Sequence, residues 1–75
     1  MAWIRTRKGR LVDASFFNVP HQIENDRWGI TTRTIGSDSI IAGRYDTREE
    51  ARGVFDDLEE WLESGASGVF SFLED

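Results

Sequence analysis

A chain of 75 residues with no cysteine and a single histidine makes one domain and excludes disulfides, thiolate metal sites and a histidine-built zinc centre. The formal net charge of −5 is unevenly spread: residues 1–45 carry seven basic and four acidic side chains, residues 46–75 two basic and ten acidic, so that +3 gives way to −8. That balance disfavours bulk nucleic-acid binding and leaves room for a local basic face. A domain this short buries only about 60–65% of its unfolded surface. Without disulfides or metal, oligomerisation is the remaining common route to stability.

In chain order, Trp3–Arg7 reads as a first strand, rich in aromatic and β-branched residues, and Lys8-Gly9-Arg10 as a tight turn. Leu11–Val19 is a second strand that Pro20 ends, because proline cannot donate to a central ladder. His21–Asp26 reads as a loop. Trp28–Ile35 is a third strand, favoured by its threonines and isoleucines, and Gly36–Ser39 a turn. Ile40–Tyr45 forms a fourth strand. The short connections predict an antiparallel four-strand meander.

The helix is predicted over about residues 47–64. Thr47 with Glu50 three residues later matches a capping box, in which each side chain satisfies the other's free backbone N–H. Ala51, Val54, Phe55, Leu58, Trp61 and Leu62 recur on one face, and Gly65 is placed as the left-handed C-terminal residue. Gly53 falls inside the helix at a cost of roughly 1 kcal/mol relative to alanine, which a close approach of helix to sheet would explain. Val69–Leu73 is a short last strand. The expected fold is therefore α+β, the meander with one amphipathic helix on one face.

Adjacent strand residues point to opposite faces. Trp3 with Ile4, Phe16 with Phe17, Ile40 with Ile41 and Val69 with Phe70 are doubly apolar, while one helix covers one face only. The other face is expected to be closed by curling of the sheet into a half-barrel, by another protomer as a homo-oligomer, or by both.

Arg5, Arg7, Lys8 and Arg10 cluster around the first turn, and Arg33 and Arg44 join them if neighbouring strands align. Guanidinium forks suit phosphate and aromatic rings stack on bases, so Arg5, Arg7, Arg10, Arg33 and Arg44 with Trp3, Trp28 and Tyr45 form a candidate anion or nucleotide site. The competing reading pairs these arginines with the acidic helix, within or between protomers. Asp56, Asp57, Glu59, Glu60 and Glu63 form a candidate partner-binding face that imitates a phosphate backbone, or else a solvated surface. His21 lacks a triad arrangement with any serine, and Gly65-Ala66-Ser67-Gly68 follows a helix rather than opening one, so neither points to catalysis or to a phosphate cradle. No enzyme, cofactor or metal is expected. Residues 1–30 lack a signal-peptide pattern and no apolar run reaches membrane-spanning length, which gives the expectation of a cytoplasmic protein.

Two segments carry a resemblance. They are Trp3-Ile4-Arg5-Thr6 with Gly9 and Leu11-Val12, and Ile40-Ile41-Ala42-Gly43-Arg44-Tyr45-Asp46-Thr47 with Glu49-Glu50-Ala51. Together they cover somewhat under half of the chain and resemble small proteins of phages and prophages of Gram-positive bacteria. The resemblance implies a non-catalytic accessory protein that acts by stoichiometric binding in the host cytoplasm, including against host defence. Two mechanisms follow: sequestration of a small nucleotide signal, or blockade of a host protein through the acidic helix. The alternative is a structural self-assembly module without a ligand.

Overall fold

A computed structural model describes residues 2–24, 26–34 and 39–72. The chain runs β1 (Ala2–Arg5), β2 (Leu11–Phe17), β3 (His21–Glu24), β4 (Arg27–Thr34), β5 (Ser39–Tyr45), α1 (Arg48–Glu63) and β6 (Val69–Ser71). The α+β class matches the sequence reading, but the sheet has six strands rather than a four-strand meander, and it is mixed. The turn expected at Gly36–Ser39 lies almost wholly outside the described residues, as do Ile35 and Leu73.

The added strand is β3. Pro20 interrupts pairing without ending it: β2 and β3 lie along one edge of β4, at Thr32–Thr34 and Arg27–Gly29 respectively, while β5 takes the other edge. The gap between them is bridged by the Asn18 amide, which donates to the Thr31 carbonyl (2.9 Å), and by the Asn18 carboxamide, which donates to the Thr31 hydroxyl (2.7 Å). Mixed character comes from β6. The helical crossover returns the chain to the far side of β1, where β6 pairs in parallel, Trp3 opposite Val69 and Ile4 opposite Phe70.

The sheet curls until it nearly meets itself. The Phe72 amide donates to the Arg5 carbonyl, and two residues on, the Arg7 amide donates to the Ala42 carbonyl of β5, both at 2.8 Å. Residues i and i+2 of a strand present their backbone groups to the same edge. The free edge of β1 is thus shared, first by β6 and then by β5. The sheet thus curls, the first of the expected devices, yet its outer face keeps large apolar side chains exposed. Bulges at Ala14/Phe16 in β2 and at Ile30/Thr31 in the β4–β5 ladder supply the bend.

Inside lie Ile4, Val12, Ala14, Ile30, Ala42, Tyr45, Ala51, Leu58 and Phe72. Each apolar doublet splits. Ile4 is fully buried while Trp3 stays 45% exposed, and Phe16, Ile41 and Val69 likewise face out. Buried Thr32 is satisfied by donating to the Phe16 carbonyl (2.6 Å).

The helix begins at Thr47, whose hydroxyl accepts from the Glu50 amide (3.2 Å) and donates to Glu50 Oε1 (3.2 Å). The second half of the expected capping box is therefore a side-chain pair, not a carboxylate reaching back to a backbone N–H. At the other end Gly65 (φ 107°) donates to the Leu62 carbonyl and Ala66 to that of Trp61, the two bonds of a Schellman motif. The expected packing reason for Gly53 is overturned: it is exposed, and a Cβ placed there meets nothing within 4 Å. Trp61 ties the helix end to the last strand, donating from Nε1 to the Ser67 carbonyl (2.9 Å) and stacking in a chain with Phe70 and Phe72. No helix among the described residues is long and apolar enough to cross a membrane.

Candidate anion site at the β1–β2 turn

The β1–β2 hairpin turns through three residues, Arg7, Lys8 and Gly9, with Gly9 in the left-handed region (φ 86°). Thr6 holds the turn: its amide donates to the Arg10 carbonyl (2.8 Å), its carbonyl accepts from the Gly9 amide (2.8 Å) and its hydroxyl accepts from the Arg10 amide (3.2 Å). A three-residue loop closed by a left-handed glycine is a favoured hairpin connection. It leaves the side chains of Arg7, Lys8 and Arg10 as its outward content.

The Arg7–Ala42 backbone bond brings this turn against β5. Between them lies a cavity of about 380 Å³ lined by Arg7, Lys8, Arg10, Ser39, Ile40, Ile41 and Arg44. Four cationic side chains thus converge on one volume, with two isoleucines as its apolar wall. Among the described residues the only carboxylate paired with any of the four is Glu24, whose Oε1 lies 3.0 Å from an Arg44 terminal nitrogen. Among the described residues the buried Nε donors of Arg7 and Arg44 have no hydrogen-bond partner. Buried donors are normally paired, and an unpaired one costs about 1–3 kcal/mol.

Of the residues expected from sequence, Arg7, Arg10 and Arg44 meet here. Arg5 does not: its terminal nitrogen donates to the Gly9 carbonyl (2.9 Å), bracing the turn from outside the cavity. Arg33 sits between Phe16 and Ser39 in register, and its guanidinium lies 6.0 Å from the Phe16 ring, outside the cavity lining. Of the aromatics, Trp3 lies on the outer face between Asp13 and Val69. Trp28 and Tyr45 are paired across β4 and β5, and Tyr45 belongs to the core. Since Tyr45 follows Arg44 directly, the two point to opposite faces and do not share a pocket. The Arg48 guanidinium sits 5.9 Å from the Trp28 ring.

Lys8, Ser39, Ile40, Ile41 and Glu24 complete the site beyond the expected set. Lys8 is legible in the sequence as part of the basic turn. The others arrive through the closure of the sheet, which no local pattern encodes. Within one chain, no ion pair among the described residues joins these arginines to the acidic helix: Arg44 pairs with Glu24, Arg27 with Asp46 (3.4 Å), and Arg52 with Asp56 (3.5 Å) on the helix itself. Asp56, Asp57, Glu59, Glu60 and Glu63 are exposed. His21 is exposed, with Nδ1 3.0 Å from the Val19 carbonyl. No cluster of potential metal ligands occurs among the described residues.

The chain matches no protein-family model, and no curated protein and no solved structure is significantly similar to it. The geometry of the site is accordingly what a functional reading has to stand on.

Proposed function

We propose that this is a non-catalytic binding protein that holds a small phosphorylated ligand of the nucleotide class in the Arg7–Arg10–Arg44 cavity. The observation that carries the reading is the convergence of four cations on a 380 Å³ volume in which two buried guanidinium donors have no acceptor among the described residues. The volume falls within the range of small-molecule sites. Guanidinium forks offer phosphate two parallel donors, and Lys8 adds a mobile point charge. Among the described residues of the lining Ser39 is the one hydroxyl and there is no histidine or carboxylate, a set suited to holding a ligand.

The resemblance to phage and prophage proteins supplies the biological sense: a small protein that sequesters a nucleotide signal acts stoichiometrically, as an accessory or anti-defence factor in a host cytoplasm. With Trp28 and Tyr45 packed on the core, recognition rests on the phosphates and on Ile40 and Ile41 rather than on base stacking. Titration calorimetry against cyclic nucleotides, ADP-ribose derivatives and ADP tests this. Binding is expected, weakened about 10- to 100-fold in Arg7→Ala or Arg44→Ala, as loss of a charge-assisted hydrogen bond requires. Arg33→Ala, outside the cavity, should bind as the parent does. Absence of heat across the whole panel rejects the reading.

Self-assembly is the second reading, and exposed Trp3 beside exposed Val69 on the outer face of β1 and β6 favours it. The two readings coexist, because neither Trp3 nor Val69 lines the basic cavity.

A further inference from the structure

A larger cavity, about 630 Å³, lies between α1 and β2 and shares no residue with the basic one. Its helix wall is Phe55, Leu58 and Leu62, and its strand wall includes Phe16 and Phe17. Leu62 is 37% exposed and Phe55 and Phe17 are half-buried, so large apolar side chains are open to the groove. Scattered exposed apolar residues are ordinary, whereas a contiguous apolar concavity marks a binding surface.

The charged groups that line this groove are all acidic: Glu59 on the helix and Asp13 on β2. One carboxylate oxygen of Asp13, Oδ1, is buried without a hydrogen-bond partner. At 100° per residue, Glu63 and Asp56 follow Glu59 around the helix on the side away from the core. Asp56 is the one of these with a cation, Arg52. Glu59 and Glu63 have no ion-pair partner among the described residues. An apolar trough edged by uncompensated carboxylates is complementary to an apolar surface edged by cations.

We propose that this groove receives a basic amphipathic segment of a partner protein. Phe55 and Leu62 stand at i and i+7, two turns apart on one helix face and both partly exposed, with fully buried Leu58 beneath them. The partner's apolar stripe lies against Phe55, Leu62 and Phe17, and its flanking lysines or arginines meet Glu59, Glu63 and Asp13. The apolar contact supplies affinity, and the carboxylates supply orientation and rate of encounter. This surface is independent of the nucleotide reading, since neither needs the other to be right.

The test uses the full chain and a fluorescein-labelled Leu/Lys peptide patterned as an amphipathic helix. Two controls are a peptide of the same composition with its leucines scrambled, and one with glutamate in place of lysine. Fluorescence anisotropy should saturate at one patterned peptide per chain, and neither control should bind comparably. Leu62→Glu, at an exposed position and checked for folding by circular dichroism, should weaken binding about tenfold or more. Glu59→Lys should weaken it about threefold to fivefold, with the difference fading at high salt. Chemical-shift changes should map to α1 and β2. Equal binding of the scrambled lysine peptide, an unchanged affinity in a folded Leu62→Glu, no binding of any peptide, or a self-association that Leu62→Glu abolishes would each overturn the proposal. The last would mean that a second copy of the chain fills the groove.

Discussion

Gly53 is the position where sequence and structure give opposite advice about a single methyl group. It lies in the sixth position of a 16-residue helix, exposed, with no neighbouring atom within 4 Å of the point an alanine Cβ would occupy. Gly53→Ala therefore adds no clash and removes no contact. It should raise stability by about 0.8–1.0 kcal/mol, the helix-interior difference between glycine and alanine, much of it from the restricted unfolded chain. For a domain of this size that corresponds to about 4–8 °C in Tm, or to a midpoint shift of roughly 0.5–1 M in urea with an unchanged slope. Far-UV circular dichroism reads both. The matched control is Gly43→Ala, where the Cβ would stand 2.5 Å from the Tyr45 hydroxyl and 2.9 Å from Phe72 Cδ1. Tyr45 and Phe72 are core residues, so this change should cost about 1–3 kcal/mol. A Gly53→Ala protein no more stable than the parent would refute the reasoning, because it would require a close neighbour that the fold does not place there.

Thr47→Ala removes the hydroxyl that accepts from the Glu50 amide and should lower stability by about 1 kcal/mol in the same unfolding assay. Glu24→Gln releases the Arg44 fork from its one carboxylate and should tighten nucleotide binding about threefold to tenfold by calorimetry; a weaker site would mean that Glu24 positions Arg44 instead of competing for it. Sedimentation of the parent chain at micromolar concentration should show a homo-oligomer, and Trp3→Ser should shift it toward monomer; a parent already monomeric would remove the self-assembly reading.

The parts of the fold legible in the sequence are those set by neighbours along the chain. Thr47, Glu50 and Gly65 mark the helix ends because a cap is a contact over three or four residues. The first turn is readable for the same reason, though it runs through Arg7-Lys8-Gly9, one residue earlier than the expected Lys8-Gly9-Arg10. What is not legible is set by distant contacts. Pro20 looks like a terminator, yet Asn18 carries the ladder across it by bonding to Thr31, thirteen residues away. The parallel docking of β6 depends on where the helix sets the chain down. In the candidate site the parity rule separates residues that composition groups together: Arg44 and Tyr45 are adjacent, so one lines the cavity and the other enters the core. Arg33 shares the basic character of Arg7, but its guanidinium lies over the Phe16 ring and not in the cavity lining.

The closure of the sheet connects the candidate site to the physics of a small domain. A barrel with too few strands has to leave a seam or fill it. Here β6, three residues long, occupies the edge of β1 as far as Arg5, and β5 takes over at Arg7 with one backbone bond. Beyond that bond, Ser39–Ile41 of β5 and the Arg7–Arg10 turn stand apart, and the gap between them is the basic cavity. A seam lined by apolar side chains would invite another strand, since an unpaired edge is a template for pairing. Arginine and lysine at the seam discourage that approach while leaving the gap open to a small anion. The same residues thus guard an edge and shape a site, and the local excess of positive charge in an otherwise acidic protein has a place in the fold that accounts for both.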